Sequence, residues 1–272
     1  MNAVQIGPLL FDGARFTAII AALAFAVTAG IVSWWYARRG METRVPVFAL
    51  IVVWIVAARV GFVAINWETF AAHPLEAFAL WQGGFSARAG TIGFAVVALA
   101  AILSRPGTVA PILIGAGVAV LAANATEFAL RDGSAATLPG TAFSAYEGAP
   151  VTLSDRNGTP LVVNLWATWC PPCRREMPMM LEVAGQAEGI DVVFANQGET
   201  PPQIASFLDE TGLDGDGIVF DPDGQLLGGL GAMGLPTTLF FDAQGSLVSA
   251  HTGEISRAAF TSAIEDLGGK VR

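Results

Sequence analysis

The only two cysteines among 272 residues lie three positions apart, in Asn164-Leu165-Trp166-Ala167-Thr168-Trp169-Cys170-Pro171-Pro172-Cys173. They fall where an apolar, strand-like run at residues 161–166 gives way to a helical pattern from Arg174 onward. A C-x-x-C at a strand-to-helix junction reads as a dithiol redox site. Backbone N–H groups and the dipole at a helix start favour negative charge, so Cys170 is expected to hold a thiolate more easily than a free cysteine. Cys173, one turn further, is placed to resolve a mixed disulfide formed at Cys170. Pro171 and Pro172 occupy the first turn, where a missing N–H costs little. Arg174 and Arg175 add positive charge. The alternatives are an inert structural disulfide or half a zinc site. Zinc would need further soft ligands, and the only histidines, His73 and His251, are distant in sequence. A redox-active dithiol is the favoured reading, with no metal and no cofactor.

Composition splits the chain around this motif. Residues 1–130 are strongly apolar with few charges, whereas residues 140–272 carry the acidic residues and turn signals of a soluble domain and most of the formal net charge of -9. The acidity, without a basic stripe interleaved with aromatics, argues against a nucleic-acid partner.

Residues 16–36 form an uncharged stretch long enough to span a bilayer, which takes about 20 apolar residues. A signal peptide is the competing reading, disfavoured by the missing basic n-region and by the apolar segments that follow. Trp34, Trp35 and Tyr36 end the stretch as interfacial aromatics, before Arg38, Arg39 and Arg44. Residues 45–66, interrupted by Arg59, make a second span; residues 91–103 with their flanks and residues 109–125 make a third and a fourth. These last two are short, which leaves a tilted or re-entrant element open. Residues 1–14 are polar enough to lie outside the bilayer. The loops after the first and third spans carry Arg38, Arg39, Arg44 and Arg105, against Arg15, Arg88 and Arg131 on the other side. The positive-inside bias therefore places everything after the fourth span, with the N-terminus, outside the cytoplasm. Arg59 within an apolar run is a functional-site candidate, or else reaches the interface or pairs with Glu68, Glu76 or Glu127.

The second half alternates strand and helix signals. Residues 149–153 open it, before a turn at Asp155-Arg156-Asn157-Gly158 that signals a hairpin. The apolar run at 161–166 suits a buried central strand. Helices are expected at about 170–185, 201–211 with Thr200 as N-cap, 225–230, and 256–267 with Ser256 as N-cap. Strands are expected at 190–195, 218–221, 237–242 and 246–251, the last two forming a hairpin. The fold class is thus an α-helical transmembrane domain of about four spans, then an α/β domain with a mixed central sheet and helices on both faces. The expected boundaries are 1–130 for the membrane anchor, 131–140 for a linker and 141–272 for the soluble domain.

Two resemblances extend this reading. Trp169-Cys170-Pro171-Pro172-Cys173, Gly234-Leu235-Pro236-Thr237-Thr238 and Gly245, in that order, resemble the thioredoxin fold. More narrowly, residues 140–270 or so look like the TlpA/ResA group of membrane-tethered thiol-disulfide oxidoreductases. That resemblance implies that Pro236 is cis and faces the dithiol, forming a slot for the partner's peptide. It implies a substrate-receiving surface at Trp169, Pro171, Pro172 and Leu235. Asn164 stands where ordinary thioredoxins carry a buried aspartate, and Glu176 matches the glutamate this group uses near its dithiol. Glu176 lies one helical turn beyond Cys173, where a carboxylate would raise a thiol pKa and could shuttle a proton. The alternative is a solvated glutamate paired to an arginine. Glu199 is a second acidic candidate. In the N-terminal half, Arg59-Val60-Gly61-Phe62 and Trp81-Gln82-Gly83-Gly84-Phe85-Ser86-Ala87-Arg88-Ala89-Gly90 look like part of the prolipoprotein diacylglyceryl transferases, over roughly residues 10–125. Arg88 replaces that family's essential histidine, so acyl-glyceryl transfer is not expected; an anchor in contact with membrane lipid is.

The expectation is a membrane-anchored periplasmic reductase of protein disulfides in the bacterial inner membrane. The resemblance implies substrates such as apocytochrome c or other secreted proteins, and a separate transmembrane electron donor of the DsbD or CcdA kind. A disulfide-forming oxidant using the same site, or a lipid-related membrane module with an auxiliary thioredoxin domain, are the rivals.

Overall fold

The computed structural model describes residues 3–6, 9–41, 43, 45–72, 74–131 and 137–272. Arg44, His73 and residues 132–136 of the expected linker lie outside the described residues. The chain forms two compact units, Arg15–Ala129 and the described residues of Met1–Ala14 with Leu130–Arg272.

In chain order, β1 (Ala3–Ile6) and β2 (Leu9–Asp12) pair antiparallel, and α1 (Gly13–Ala37), α2 (Val47–Ile65), α3 (Trp67–Ala72), α4 (Ala87–Ser104) and α5 (Val109–Arg131) follow. Among the described residues four helices are long and apolar enough to cross a membrane: α1, α2, α4 and α5 with the turn before it. Even the shortest, with 18 residues, reaches about 27 Å at 1.5 Å per residue. The third span begins before its apolar stretch because Ser86 caps it, its hydroxyl accepting from Ala89 N at 3.4 Å. Along α1, Ile19, Leu23, Val27 and Ile31 stand one turn apart and all are exposed. Water would penalise such a stripe and lipid does not. At the end of α1, Arg38 and Arg39 stack over Trp34 and Trp35, 4.1 and 3.4 Å from the ring centroids. This suits an interface where the rings are half-immersed and the cations stay wet.

Small residues let α2 and α4 approach closely. A Cβ at Gly61 would collide with Ala89 Cβ, and one at Gly93 with Ala57 Cβ. Arg59 on α2 is 4 % exposed, and most of its partners are backbone carbonyls, with the Glu76 carboxylate also acting on it. Its guanidinium donates to the carbonyls of Ala77 (2.9 Å), Glu76 (2.6 Å), Gly83 and Gly84 (3.0 Å), and more weakly Ala79 (3.4 Å). Gly84 has φ +79°, and a Cβ there would meet Phe62 at 2.5 Å. The glycine pair is thus what lets the loop wrap its carbonyls around the arginine. Arg88 is exposed in the first turn of α4.

The other unit comprises β3 (Ala142–Phe143), β4 (Val151–Thr152), β5 (Leu161–Trp166), α6 (Pro171–Gly185), β6 (Ala187–Glu188), β7 (Asp191–Gln197), α7 (Pro201–Thr211), β8 (Ile218–Asp221), α8 (Gln225–Gly229), β9 (Thr237–Phe241), β10 (Leu247–Thr252), α9 (Arg257–Asp266) and β11 (Lys270–Val271). Five strands make one mixed sheet in the order β10-β9-β5-β7-β8, with β5, β7 and β8 parallel and β9 antiparallel to both β5 and β10. The β1–β2 hairpin lies beside β10. One face of the sheet buries Val162, Trp166, Phe194 and Phe240 against Met177 and Met180 of α6, Ile204 and Phe207 of α7, and Phe260 and Ile264 of α9. The other buries Leu161, Val163, Leu165, Leu239 and Phe241 against Leu226 of α8, with Phe143 and Leu153. The Asn157-Gly158 turn exists, with φ of 49° and 84°, but joins no paired strands: β4 pairs with β3, not β5. Arg156 is buried there, donating to the Leu153 carbonyl (2.7 Å) and to Asp191 (3.1 Å), so the turn is stapled down rather than closing a hairpin.

Gly93→Ala is expected to separate α2 from α4 and destabilise the membrane unit by about 1–3 kcal/mol. Gly117→Ala on α5 meets nothing within 4 Å and is expected to be neutral or mildly stabilising. Thermal denaturation of the two variants in detergent checks the contrast.

Candidate functional site

β5 is buried along all six residues and points its C-terminal end at the dithiol. Cys170 is the N-cap of α6, with extended φ/ψ of -87° and 107°. Its Sγ accepts the backbone N–H of Cys173 at 3.3 Å, so the helix start supplies a donor to the sulfur. The two cysteines are joined as a disulfide with Cα atoms 5.3 Å apart. Both are buried, whereas Trp169 is 67 % exposed and Pro171 is exposed beside it. Arg174 lies over the Phe207 ring (4.9 Å) and donates to the Thr168 carbonyl (3.2 Å), while Arg175 pairs with Glu254 at 2.7 Å.

Beneath the dithiol, Glu176 is 3 % exposed, not solvated. Asn164 Nδ2 donates to its Oε1 (3.2 Å) and to Thr238 Oγ1 (3.1 Å), and Ile255 N donates to its Oε2 (3.0 Å). Burial pushes this carboxyl up to about 8; the Ile255 and Asn164 donors and Arg175 pull against that, and Glu254 adds to it. Glu199 is also buried but differently supplied. It accepts from Thr168 N (2.7 Å), from the Thr168 hydroxyl and from Asn196 Nδ2 (2.8 Å). These charge-assisted bonds fix the segment that leads into Cys170.

The Leu235–Pro236 peptide is cis. Pro236 is buried and its carbonyl accepts from Gly253 N at 2.9 Å; Leu235 is half-buried and packs against the cluster containing both cysteines. The fold thus gathers Cys170, Cys173, Trp169, Pro171, Leu235 and Glu176 in one region of the second unit. Arg59 and Arg88 belong to the other unit. Among the described residues no three His, Cys, Asp or Glu side chains are grouped to hold a metal. Sequence reasoning passed over Thr168, Thr238 and the Ile255 N–H. The threonines read as ordinary residues of a loop and a β-rich strand, and a backbone donor leaves no mark in a sequence.

A carboxyl that titrates near 4.5 when free and near 8 when folded keeps, in the folded state, a proton that the unfolded chain has released between those values. Stability is full below about pH 4.5 and falls as pH rises towards 8, at about 1.4 kcal/mol per pH unit where the difference is complete. Glu176→Gln, which imitates the protonated form, is expected to flatten that slope. Urea unfolding of the oxidised protein between pH 5 and 8 measures it.

Both halves of the chain resemble known proteins. Residues 132–267 match the family model described as Redoxin, and residues 4–134 match the one described as prolipoprotein diacylglyceryl transferase. The chain is 33% identical over 133 residues to the thiol-disulfide oxidoreductase ResA of Geobacillus thermodenitrificans, an alignment covering 48% of this chain and 76% of that protein. It is 32% identical over 120 residues to the thiol:disulfide interchange protein HelX of Rhodobacter capsulatus, covering 44% and 67%. A crystal structure of a thioredoxin-family thiol:disulfide interchange protein from Chlorobium tepidum aligns at 25% identity, a TM-score of 0.43, and 48% and 94% coverage. With a disulfide at a helix N-cap and these relatives, the chain belongs to the Redoxin family: it is a thiol-disulfide oxidoreductase of the ResA kind, fused to an N-terminal half that matches the diacylglyceryl transferases.

Proposed function

We propose that the protein is a membrane-anchored, extracytoplasmic reductase of protein disulfides. The observation that carries this reading is the Cys170–Cys173 disulfide at the start of α6, with the Glu176 carboxyl buried one turn further along the same helix and pushed up to about 8. A group of that kind can take a proton from a thiol and return it within one cycle. In the reduced protein, the Cys170 thiolate attacks one sulfur of a substrate disulfide. A Cys170–substrate disulfide forms and a substrate thiolate leaves. Cys173 passes its proton to Glu176 and attacks Cys170 Sγ, closing the intramolecular disulfide and releasing the second substrate thiolate. Two electrons pass to the substrate and its thiolates recover protons from Glu176 and water. Trp169, Pro171, Pro172 and Leu235 receive the substrate around the dithiol, and Pro236 aligns its peptide.

The membrane half has no cysteine, so it carries no electrons by dithiol exchange. Recharging falls to a separate transmembrane donor, by resemblance of the DsbD or CcdA kind, and apocytochrome c cysteines are candidate substrates. Orientation follows from Arg38, Arg39 and Arg44 on the cytoplasmic side. An even count of four helices agrees, as does the grouping of the first residues with the second unit. Arg59 spends its donors on loop carbonyls, which supports an anchoring role for the membrane half.

The full chain in nanodiscs, equilibrated with a dithiothreitol couple, is expected to show a reduction potential of about -270 mV or lower. A value near -120 mV, roughly that of a strong oxidant, would turn the reading into disulfide formation. Cys173→Ser is expected to accumulate mixed disulfides with substrate and Cys170→Ser to form none, as non-reducing gels would show. Alkaline phosphatase fused after Arg272 is expected to be active, and inactive when fused in the loop carrying Arg38 and Arg39. The opposite pattern would reverse the orientation.

A further inference from the structure

One titratable side chain close to this site has no part in the scheme above. His251 lies on β10, 8 % exposed, and its strand partner is Thr238. Thr238 is in turn the strand partner of Asn164. The three therefore form one row across β10, β9 and β5, on the face that α6 covers. His251 Nε2 lies 3.1 Å from the carbonyl oxygen of Glu254. A carbonyl only accepts, so Nε2 carries a proton and donates. The other end of that same peptide unit is the Ile255 N–H, which donates to Glu176 Oε2 at 3.0 Å.

We infer that His251 is a positioning residue for the Glu176 carboxyl, acting through the single peptide between Glu254 and Ile255. The path is His251 Nε2–H to the Glu254 carbonyl, then the Ile255 N–H to Glu176. Peptide resonance joins the two halves: a donor at the oxygen draws electron density from the nitrogen and makes its N–H a stronger donor. Ile255 and Glu176 are each 3 % exposed, so water does not short-circuit the chain. The carboxyl is thus held from two sides. Asn164 grips Oε1, His251 stiffens the grip on Oε2, and Thr238 stands between them in the row. Donors to the carboxylate favour its charged form and work against burial, so His251 keeps the Glu176 proton exchangeable.

The Glu254 carboxylate acts on Glu176, and Arg175 of α6 pairs with it at 2.7 Å. On α9, Arg257 pairs with Glu182 of α6 at 2.6 Å. β9 and β5 present neutral Thr238 and Asn164.

This inference rests on the reading of Glu176 as the proton-handling group, but its test does not use activity. The full chain in nanodiscs, oxidised, is labelled with 13C at glutamate side-chain carboxyls, and the Glu176 signal is identified by its loss in Glu176→Gln. In His251→Leu the Glu176 midpoint is expected to rise by at least half a pH unit, about threefold in proton affinity. In His251→Gln, whose amide nitrogen stands near the Nε2 position, it is expected to return towards the native value. An unchanged midpoint in His251→Leu, or the same rise in both variants, would overturn the inference. A second measurement needs no variant: the Ile255 amide 15N and 1H shifts are expected to follow the titration of His251, and their failure to move with it would also overturn it. A Glu176 that titrates at an ordinary carboxyl value, yet still responds to His251, supports the relay while removing the proton role proposed above.

Discussion

The central strand β5 is sealed on both faces, so its mid-strand Asn164 amide can be partnered only from inside the protein. This constraint organises the site. Asn164 sits mid-strand with a side-chain amide that water cannot reach, and it is satisfied by Glu176 from the helix above and Thr238 from the strand beside it. The Asn164 bond to Oε1 and the Ile255 N–H on Oε2 hold a carboxyl in a buried place, and the residual cost appears as a raised proton affinity. The same strand ends at a loop whose backbone is fastened by Glu199, so Cys170 arrives at the helix start in a fixed pose. Stability and reactivity here both draw on how the Asn164 amide and the Glu176 carboxyl are partnered.

The membrane unit obeys the same rule in a different solvent. Lipid offers no hydrogen bonds, and a charged group within it is tolerated only with partners supplied by the protein. Arg59 meets that demand with carbonyls of the segment between α3 and α4, which in turn need donors because the short helical turns there leave theirs unused. Two deficits cancel. The arginine and the glycine-bearing loop form a structural pair.

Much of this was legible in the sequence. Apolar runs set the four spans, and proline, glycine and asparagine punctuation set most strand and helix ends to within a residue or two. α7, with Thr200 at its cap and the Gln203 side chain accepting the Thr200 N–H at 2.9 Å, is read as Pro201–Thr211 from either source. The one-turn spacing from Cys173 put Glu176 on the right face of its helix, but its burial depends on the segment around Ile255, 79 residues away. No local pattern reports such a cover. The Asn157-Gly158 dipeptide was misleading for a related reason. Its backbone is what a hairpin wants, but whether two strands flank it depends on Arg156 reaching Asp191, a contact set by the tertiary fold. Arg59 drew attention to carboxylates, since sequence displays side-chain charge and hides carbonyls.

The β1–β2 hairpin beside β10 has a consequence for how the molecule comes into being. Its strands, Ala3–Ile6 and Leu9–Asp12, are made before any of the spans, and Leu247–Thr252 is made after all of them. Contacts of such long sequence separation form late, because the intervening chain must first be ordered. The early strands have to stay unpaired with that sheet while the four apolar helices and the rest of the sheet are made. Only when the last strand arrives does that border of the sheet acquire its neighbour, which shields an edge that would otherwise invite pairing with another chain.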